Sequence, residues 1–230
     1  MLHLDQLIIT QGSFRLAADW QIAAGSRLAL IGPSGAGKST LISVIGGFFA
    51  PASGRVVWQG QDLTALPPGR RPITTLFQDQ NLFPHLTIAQ NLGLGLHPSL
   101  RLTAVDHDRI ETALDRTGLG GMGARKPAAL SGGQQSRAAL ARALLRARPI
   151  LMLDEPFAAL GPALKAEMLA LLAEVAAQTE ATVLMVTHDP ADARALCPLT
   201  SLVADGSAQP PVSTTALLAA PPPALATYLG

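Results

Sequence analysis

Apolar residues recur along this chain in two rhythms. Short unbroken apolar runs occupy Leu28 to Ile31, Ile150 to Leu153 and 182–186, each bounded by Gly, Pro or polar residues. Runs of that length fit strands covered on both faces. Residues 7–9 and 55–58 read as further strands, 199–203 as a weaker one, and Trp20 falls inside another. Gly12, Gly25, Pro51 and Gly54 punctuate the early runs. The second rhythm is helical. Ile110, Ala113, Leu114 and Thr117 share one face, with Gly118 as a stop. A helix begins at Ser131 with Leu140, Leu144 and Leu145 on one side, Arg137, Arg142 and Arg146 elsewhere, and Pro149 as its end. Residues 39–45 and 162–178 read as two more helices.

Strands that alternate with helices imply a parallel α/β sheet. Residues 87–148 read as mostly helical and interrupt that alternation. The expected organisation is one domain over 1–230. Its core spans about 1–86 and 149–205, a helical insertion spans about 87–148, and a tail spans 206–230. The tail reads as a short helix near 216–220 with extended flanks.

Composition changes this picture little. The chain is 48% hydrophobic, with mean hydropathy +0.30, so membrane spans need checking. The charge-free stretch 206–230 holds five prolines at 210, 211, 221, 222 and 223. Their missing N–H groups unsuit it to a lipid-exposed helix. The charge-free stretch 39–54 is short and broken by Gly46, Gly47 and Pro51. No segment is expected to span a bilayer. The 17 basic and 16 acidic residues nearly cancel, which argues against a general nucleic-acid binder. A lone Cys197 and no secretion signal at the N-terminus suggest a reducing compartment. The five His show no zinc-ligand spacing. Asp106, His107 and Asp108, beside Arg109, read as a solvated helix face.

Chemistry concentrates at the strand ends. Gly32, Pro33, Ser34, Gly35, Ala36, Gly37, Lys38 and Ser39, followed by Thr40, match the phosphate-loop pattern between a buried strand and a helix. Glycines let backbone N–H groups converge on anionic oxygens, and the helix adds its positive end. Lys38 supplies a point charge for the β- and γ-phosphates, and the Ser39 hydroxyl is a magnesium ligand. Asp154 ends the run 150–153 with a carboxylate that can hold magnesium, and Glu155 can orient or deprotonate a water. His188 follows the run 182–186, at the ligand face of a parallel sheet. Gln78 has an amide suited to magnesium and water, although one Gln alone says little. Ser131 can cap a helix whose Gly132 and Gly133 let an anion approach, followed by Gln134. This second phosphate-binding end lies too far along the chain to complete the first. Two half-sites suggest a head-to-tail homodimer with each ATP held between copies.

These motifs, in this order, resemble the ATPase subunits of ABC transporters over essentially the whole chain. The resemblance implies a P-loop NTPase with a RecA-like core, an N-terminal antiparallel β portion and an inserted helical subdomain. It implies that ATP binding closes the dimer and hydrolysis, with Glu155, His188 and Gln78 as catalytic residues, reopens it. Gln78 and residues 81–91 would contact a transmembrane permease on the cytoplasmic face of a bacterial inner membrane, and a periplasmic binding protein would act indirectly. Residues 77–87 are typical of importers, and residues 47–54, 67–72 and 91–98 look like the thiamine-importing branch. Phe14 is the nearest aromatic for stacking on adenine. Gly161 stands where the family usually has Asp, which bears on coupling between the two ATP sites. Import of another solute (iron, polyamine or sulfate), a soluble ATPase acting on DNA or ribosomes, and a regulator without turnover are the alternatives.

Overall fold

The computed structural model describes residues 1–77, 82–158 and 160–229. Eleven strands among these residues form one sheet, arranged in two differently built parts. The first part is antiparallel: β1 (Leu2–Gln11) pairs with β2 (Phe14–Ile22) and with β4 (Ser53–Trp58), and β5 (Gln61–Asp62) pairs with β4. The second part is parallel, in the order β6 (Ile73–Leu76), β7 (Ile150–Asp154), β8 (Thr182–Val186), β3 (Arg27–Ile31), β9 (Leu199–Ala204). The two-residue strand β10 (Ser207–Ala208) joins the parts, pairing parallel with β2 and antiparallel with β9.

The unbroken apolar runs behave as their pattern predicts. Side chains alternate across a pleated strand, so Leu28 and Leu30 of β3 enter one hydrophobic cluster while Ala29 and Ile31 enter another on the opposite face. Helix α1 (Lys38–Gly46) covers the first face with Leu41, Ile42 and Ile45. Helix α5 (Pro162–Thr179) covers the second with Leu169 and Leu172, and α6 (Pro190–Leu196) adds Ala193 and Leu196. Strand β2 is longer than Trp20 alone suggested, and β1 runs well beyond 7–9. Their one-sided burial makes each a mixed rather than a continuous apolar run.

Helices α2 (Ile88–Leu96), α3 (Ala104–Arg116) and α4 (Gly132–Leu145) share a third cluster around Leu92, Ile110, Leu114 and Ala138. Helix α4 is divided between clusters: Leu140 and Leu144 join the α5 side, whereas Leu145 packs with α2 and α3. Each of the three helices starts with a reciprocal capping box, built by Thr87 with Gln90, Thr103 with Asp106, and Ser131 with Gln134. This corrects the solvated reading of Asp106, which is buried and bonded to the Thr103 N–H and hydroxyl. His107 and Asp108 remain exposed.

The C-terminal stretch differs from the sequence expectation. After β11 (Val212–Ser213), helix α7 spans Thr214–Ala219, and a further helix, α8 (Pro223–Leu229), replaces the extended flank. Pro223 opens α8 with a φ already suited to a helix, and Leu225 is fully buried in the α5-side cluster. Cys197 is buried too, and burial pushes its thiol pKa up to about 12, so it is an inert core group. No helix among the described residues is long and apolar enough to cross a membrane.

Candidate nucleotide site

The end of β3 and the start of α1 are joined by a loop whose glycines are dictated by what surrounds them. A Cβ on Gly32 would fall 2.0 Å from the Val203 carbonyl oxygen of β9, at a φ of +149°. Gly37, at φ +99°, lies under the Phe14 ring, and a Cβ there would sit 2.4 Å from Phe14 Cζ. Any other residue at either position would push the loop off its supports. Between them Ala36 N–H donates to the Pro33 carbonyl at 3.2 Å, closing a turn through Ser34 and Gly35.

Lys38, the first residue of α1, folds back onto this loop and donates from Nζ to the Gly32 and Pro33 carbonyls at 2.7 and 2.8 Å. Burial lowers its pKa, with the charges of Glu155 and Asp154 acting against that shift. Ser39 Oγ donates to Asp154 Oδ1 at 3.0 Å. Burial raises the Asp154 pKa and outweighs the Ser39 hydrogen bond. Phe14, Ser34, Gly35, Gly37, Lys38, Ser39, Thr40 and Glu155 line one cavity of about 370 Å³. Gln11, at the end of β1, also lines it. The sequence carried no signal for Gln11, because strand pairing alone brings it beside the loop.

Strand β7 delivers Asp154, which pairs in register with Val186 of β8. Glu155 then turns into the left-handed region, at φ +45°, and its N–H donates to the Val186 carbonyl at 3.1 Å. A non-glycine residue held there costs about 1–2 kcal/mol. The turn aims the Glu155 carboxylate across the strand ends, where His188 Nδ1 lies 3.3 Å from Oε2. The geometry thus gathers Phe14, the loop 32–40, Asp154, Glu155 and His188 around the C-terminal ends of β3, β7 and β8.

The Ser131 end is built separately. The Ser131 hydroxyl accepts from Gln134 N–H at 3.3 Å, and Ser131 N–H donates to Gln134 Oε1 at 2.9 Å. Gly132 faces open space, whereas a Cβ on Gly133 would meet Leu164 of α5 at 2.3 Å. None of these four residues lines the cavity at the phosphate loop. Gln78 lies outside the described residues.

A phosphate loop between a doubly covered parallel strand and a helix, faced by an Asp-Glu strand end, defines a P-loop nucleotide-binding ATPase. The ABC transporter family profile matches residues 17–158. The chain belongs to that family, whose members bind and hydrolyse ATP.

Among curated relatives, thiamine import ATP-binding protein ThiQ of Cereibacter sphaeroides is 67% identical over 230 residues, covering all of both chains. The protein of the same name from Ruegeria sp. is 56% identical, again over all of both chains. That of Escherichia coli K12 is 50% identical over 185 residues, 80% of each. A solved ATP-binding cassette, dimeric in a post-hydrolysis state with ADP and Pi, matches with a TM-score of 0.81 at 29% identity. The match covers 93% of this chain and 99% of that one.

Proposed function

We propose that this protein is the ATP-hydrolysing subunit of an ABC importer for thiamine. The observation that carries the reading is unbroken similarity, end to end, to thiamine import ATP-binding proteins, combined with the gathered phosphate-loop, Asp154, Glu155 and His188 cluster. The similar cassette of known structure is a dimer. By that likeness two copies pair head to tail, and Ser131, Gly132, Gly133 and Gln134 of one copy complete the phosphate site of the other. The open approach to Gly132 supports this, because an anion can reach the start of α4 unobstructed.

Within each site, the backbone N–H groups that follow Pro33, over residues 34–40, receive the phosphates, and Lys38 exchanges its loop carbonyls for the β- and γ-phosphate oxygens. Phe14, resting on Gly37 beside the phosphates, stacks on the adenine. Glu155 orients the attacking water and takes its proton, while His188 steadies Glu155 and the γ-phosphate. Ser39 and Asp154, which already touch, and the Gln78 amide would offer magnesium only oxygen donors, the kind that ion selects. Magnesium bound there would neutralise charge between the β- and γ-phosphates. Gln78 and the neighbouring 81–91 segment pass the state of the site to a transmembrane permease. The subunit works at the cytoplasmic face of the inner membrane, with a periplasmic binding protein delivering the cargo and nucleic acid playing no part.

Uptake of radiolabelled thiamine into vesicles carrying the permease and binding protein tests the reading. ATP inside the vesicles should drive uptake with the wild-type chain and not with Lys38→Ala. Uptake of a different solute with none of thiamine would overturn the substrate assignment.

A further inference from the structure

His188 is the centre residue of a three-residue turn between β8 and α6, and both of its neighbours are tethered. Thr187 is 3% exposed, and its N–H donates to the Leu30 carbonyl of β3 at 3.3 Å. Its hydroxyl accepts from Asp189 N–H at 3.1 Å and donates to Asp192 Oδ2 at 3.0 Å. Asp189 caps α6 through the Ala191 N–H at 2.9 Å. Both carboxylates converge on a cation from another element. Lys165 Nζ, one turn into α5, lies 2.7 Å from Asp189 Oδ2 and 2.9 Å from Asp192 Oδ1.

We propose that Lys165 and Asp192 are positioning residues for ATP hydrolysis, fixing the turn that presents His188 to Glu155. This rests on the role given to His188 above.

The arrangement differs from an ordinary surface ion pair. The Lys165 side chain is only 19% exposed, and it sits between two acids rather than beside one. Without the ammonium, two carboxylates would share a small space without the cation that bridges them, and their repulsion would drive them apart. Asp192 would then release the Thr187 hydroxyl, and the Asp189 carboxylate would keep only its bond from the Ala191 N–H. Thr187 and Asp189 flank His188 directly, so its imidazole would no longer be confined 3.3 Å from Glu155. The loop 32–40 and Phe14, which line the nucleotide cavity, make none of the Lys165, Asp189 and Asp192 contacts, so nucleotide affinity should change little. The expected signature is therefore a loss in turnover without a loss in affinity.

Steady-state hydrolysis by the full chain tests this, with kcat and KM for MgATP measured separately and thermal unfolding recorded for each variant. Lys165→Met should lower kcat by about tenfold or more while KM stays within about twofold. Lys165→Arg, which keeps two donors for two acids, should retain kcat within about threefold. Thr187→Val, isosteric and neutral, should lower kcat in the same direction and serves if Lys165→Met does not fold. His188→Ala is the reference. If it loses turnover while Lys165→Met and Thr187→Val keep theirs, the positioning role is overturned and the His188 role stands. If His188→Ala turns over normally, the His188 role itself fails, and the positioning role falls with it. A KM rise matching the loss in kcat, or Lys165→Arg as poor as Lys165→Met, would also overturn the inference.

Discussion

Ser39 Oγ and Asp154 Oδ1 are 3.0 Å apart, although 115 residues of chain separate them. One lies in the first turn of α1, after β3, and the other closes the strand two places from β3 in the sheet, across β8. The hydroxyl holds the carboxylate in place, yet burial still raises the Asp154 pKa. The ionised acid is therefore held at a disadvantage that a bound cation would relieve.

Asp154→Asn should consequently act in opposite directions on fold and function. The neutral amide keeps an acceptor for Ser39 and removes the half-buried charge beside Glu155. The nucleotide-free protein should melt no lower than wild type at pH 7, by calorimetry. Magnesium-dependent hydrolysis should fall by about a hundredfold or more, the scale of losing a charge-assisted contact at a reacting phosphate.

Glu155→Gln should bind ATP with near wild-type affinity, because the loop 32–40 is untouched. Turnover should drop by about 10²–10⁴-fold, the usual contribution of a general base. With ATP present, the variant should elute as a dimer in size-exclusion chromatography. A variant that remains monomeric would count against the shared site.

Arg71 is 1% exposed and pairs with no acid among the described residues. Its guanidinium instead donates to the Val44 and Ile45 carbonyls at the end of α1 and to those of Thr64 and Leu66. Gly47 makes room, since a Cβ there would lie 2.4 Å from Arg71 Nε. Lysine cannot span four acceptors from one point. Arg71→Lys should lower the unfolding free energy by about 2 kcal/mol or more, measured by denaturant titration.

Gly161 is the N-cap of α5, with ordinary extended dihedrals and no side-chain cap. A Cβ at this position would meet nothing within 4 Å among the described residues. Gly161→Asp therefore fits without strain. It should raise stability by a few tenths to about 1 kcal/mol through capping and the helix dipole. Hydrolysis should be equal to or above wild type.

The Lys165 network sets a pH window. Burial opposes the Lys165 ammonium, but its hydrogen bonds to Asp189 and Asp192 prevail and raise its pKa. The Lys165 hydrogen bond in turn lowers that of Asp189. A lowered acid contributes stability above its unfolded value, near 4, and loses it as pH falls through the folded value. A raised Lys contributes below about 10.5 and loses it as pH climbs through its folded value. Wild type should out-melt Lys165→Met at neutral pH, and the two curves should converge below about pH 4.

Much of the site was legible because phosphate loops fix backbone shape and therefore residue type: Gly32 and Gly37 admit no side chain, and Ser131 with Gln134 spells its cap locally. The central strands were legible because burial on both faces leaves unbroken apolar runs. Contacts made by pairing were not. Gln11 reaches the cavity through β1 and β2, and Arg71 reaches the end of α1 from the stretch 67–72, some 26 residues further along the chain. Lys165 meets Asp189 and Asp192 only because α5 and α6 lie side by side. On the outer face of β1 and β2, His3, Asp5 and Asp19 converge within 4.8 Å, with Asp5 already paired to Arg55. The spacing of His along the chain gave no hint of that. Helix α8 was hidden by prolines that exclude a helix interior but suit a helix start.

Strand β10 has only two residues, yet it welds the antiparallel and parallel parts into one fabric. Phe14 stands on one side of that seam, and the loop 32–40 hangs from the other. The wall of the cavity that would carry a base and the wall that would carry its phosphates thus belong to a single woven plate with a fixed pitch. A nucleotide bound between those walls would meet this plate as an anvil, leaving the turns and helices mounted on its rim as the parts to yield.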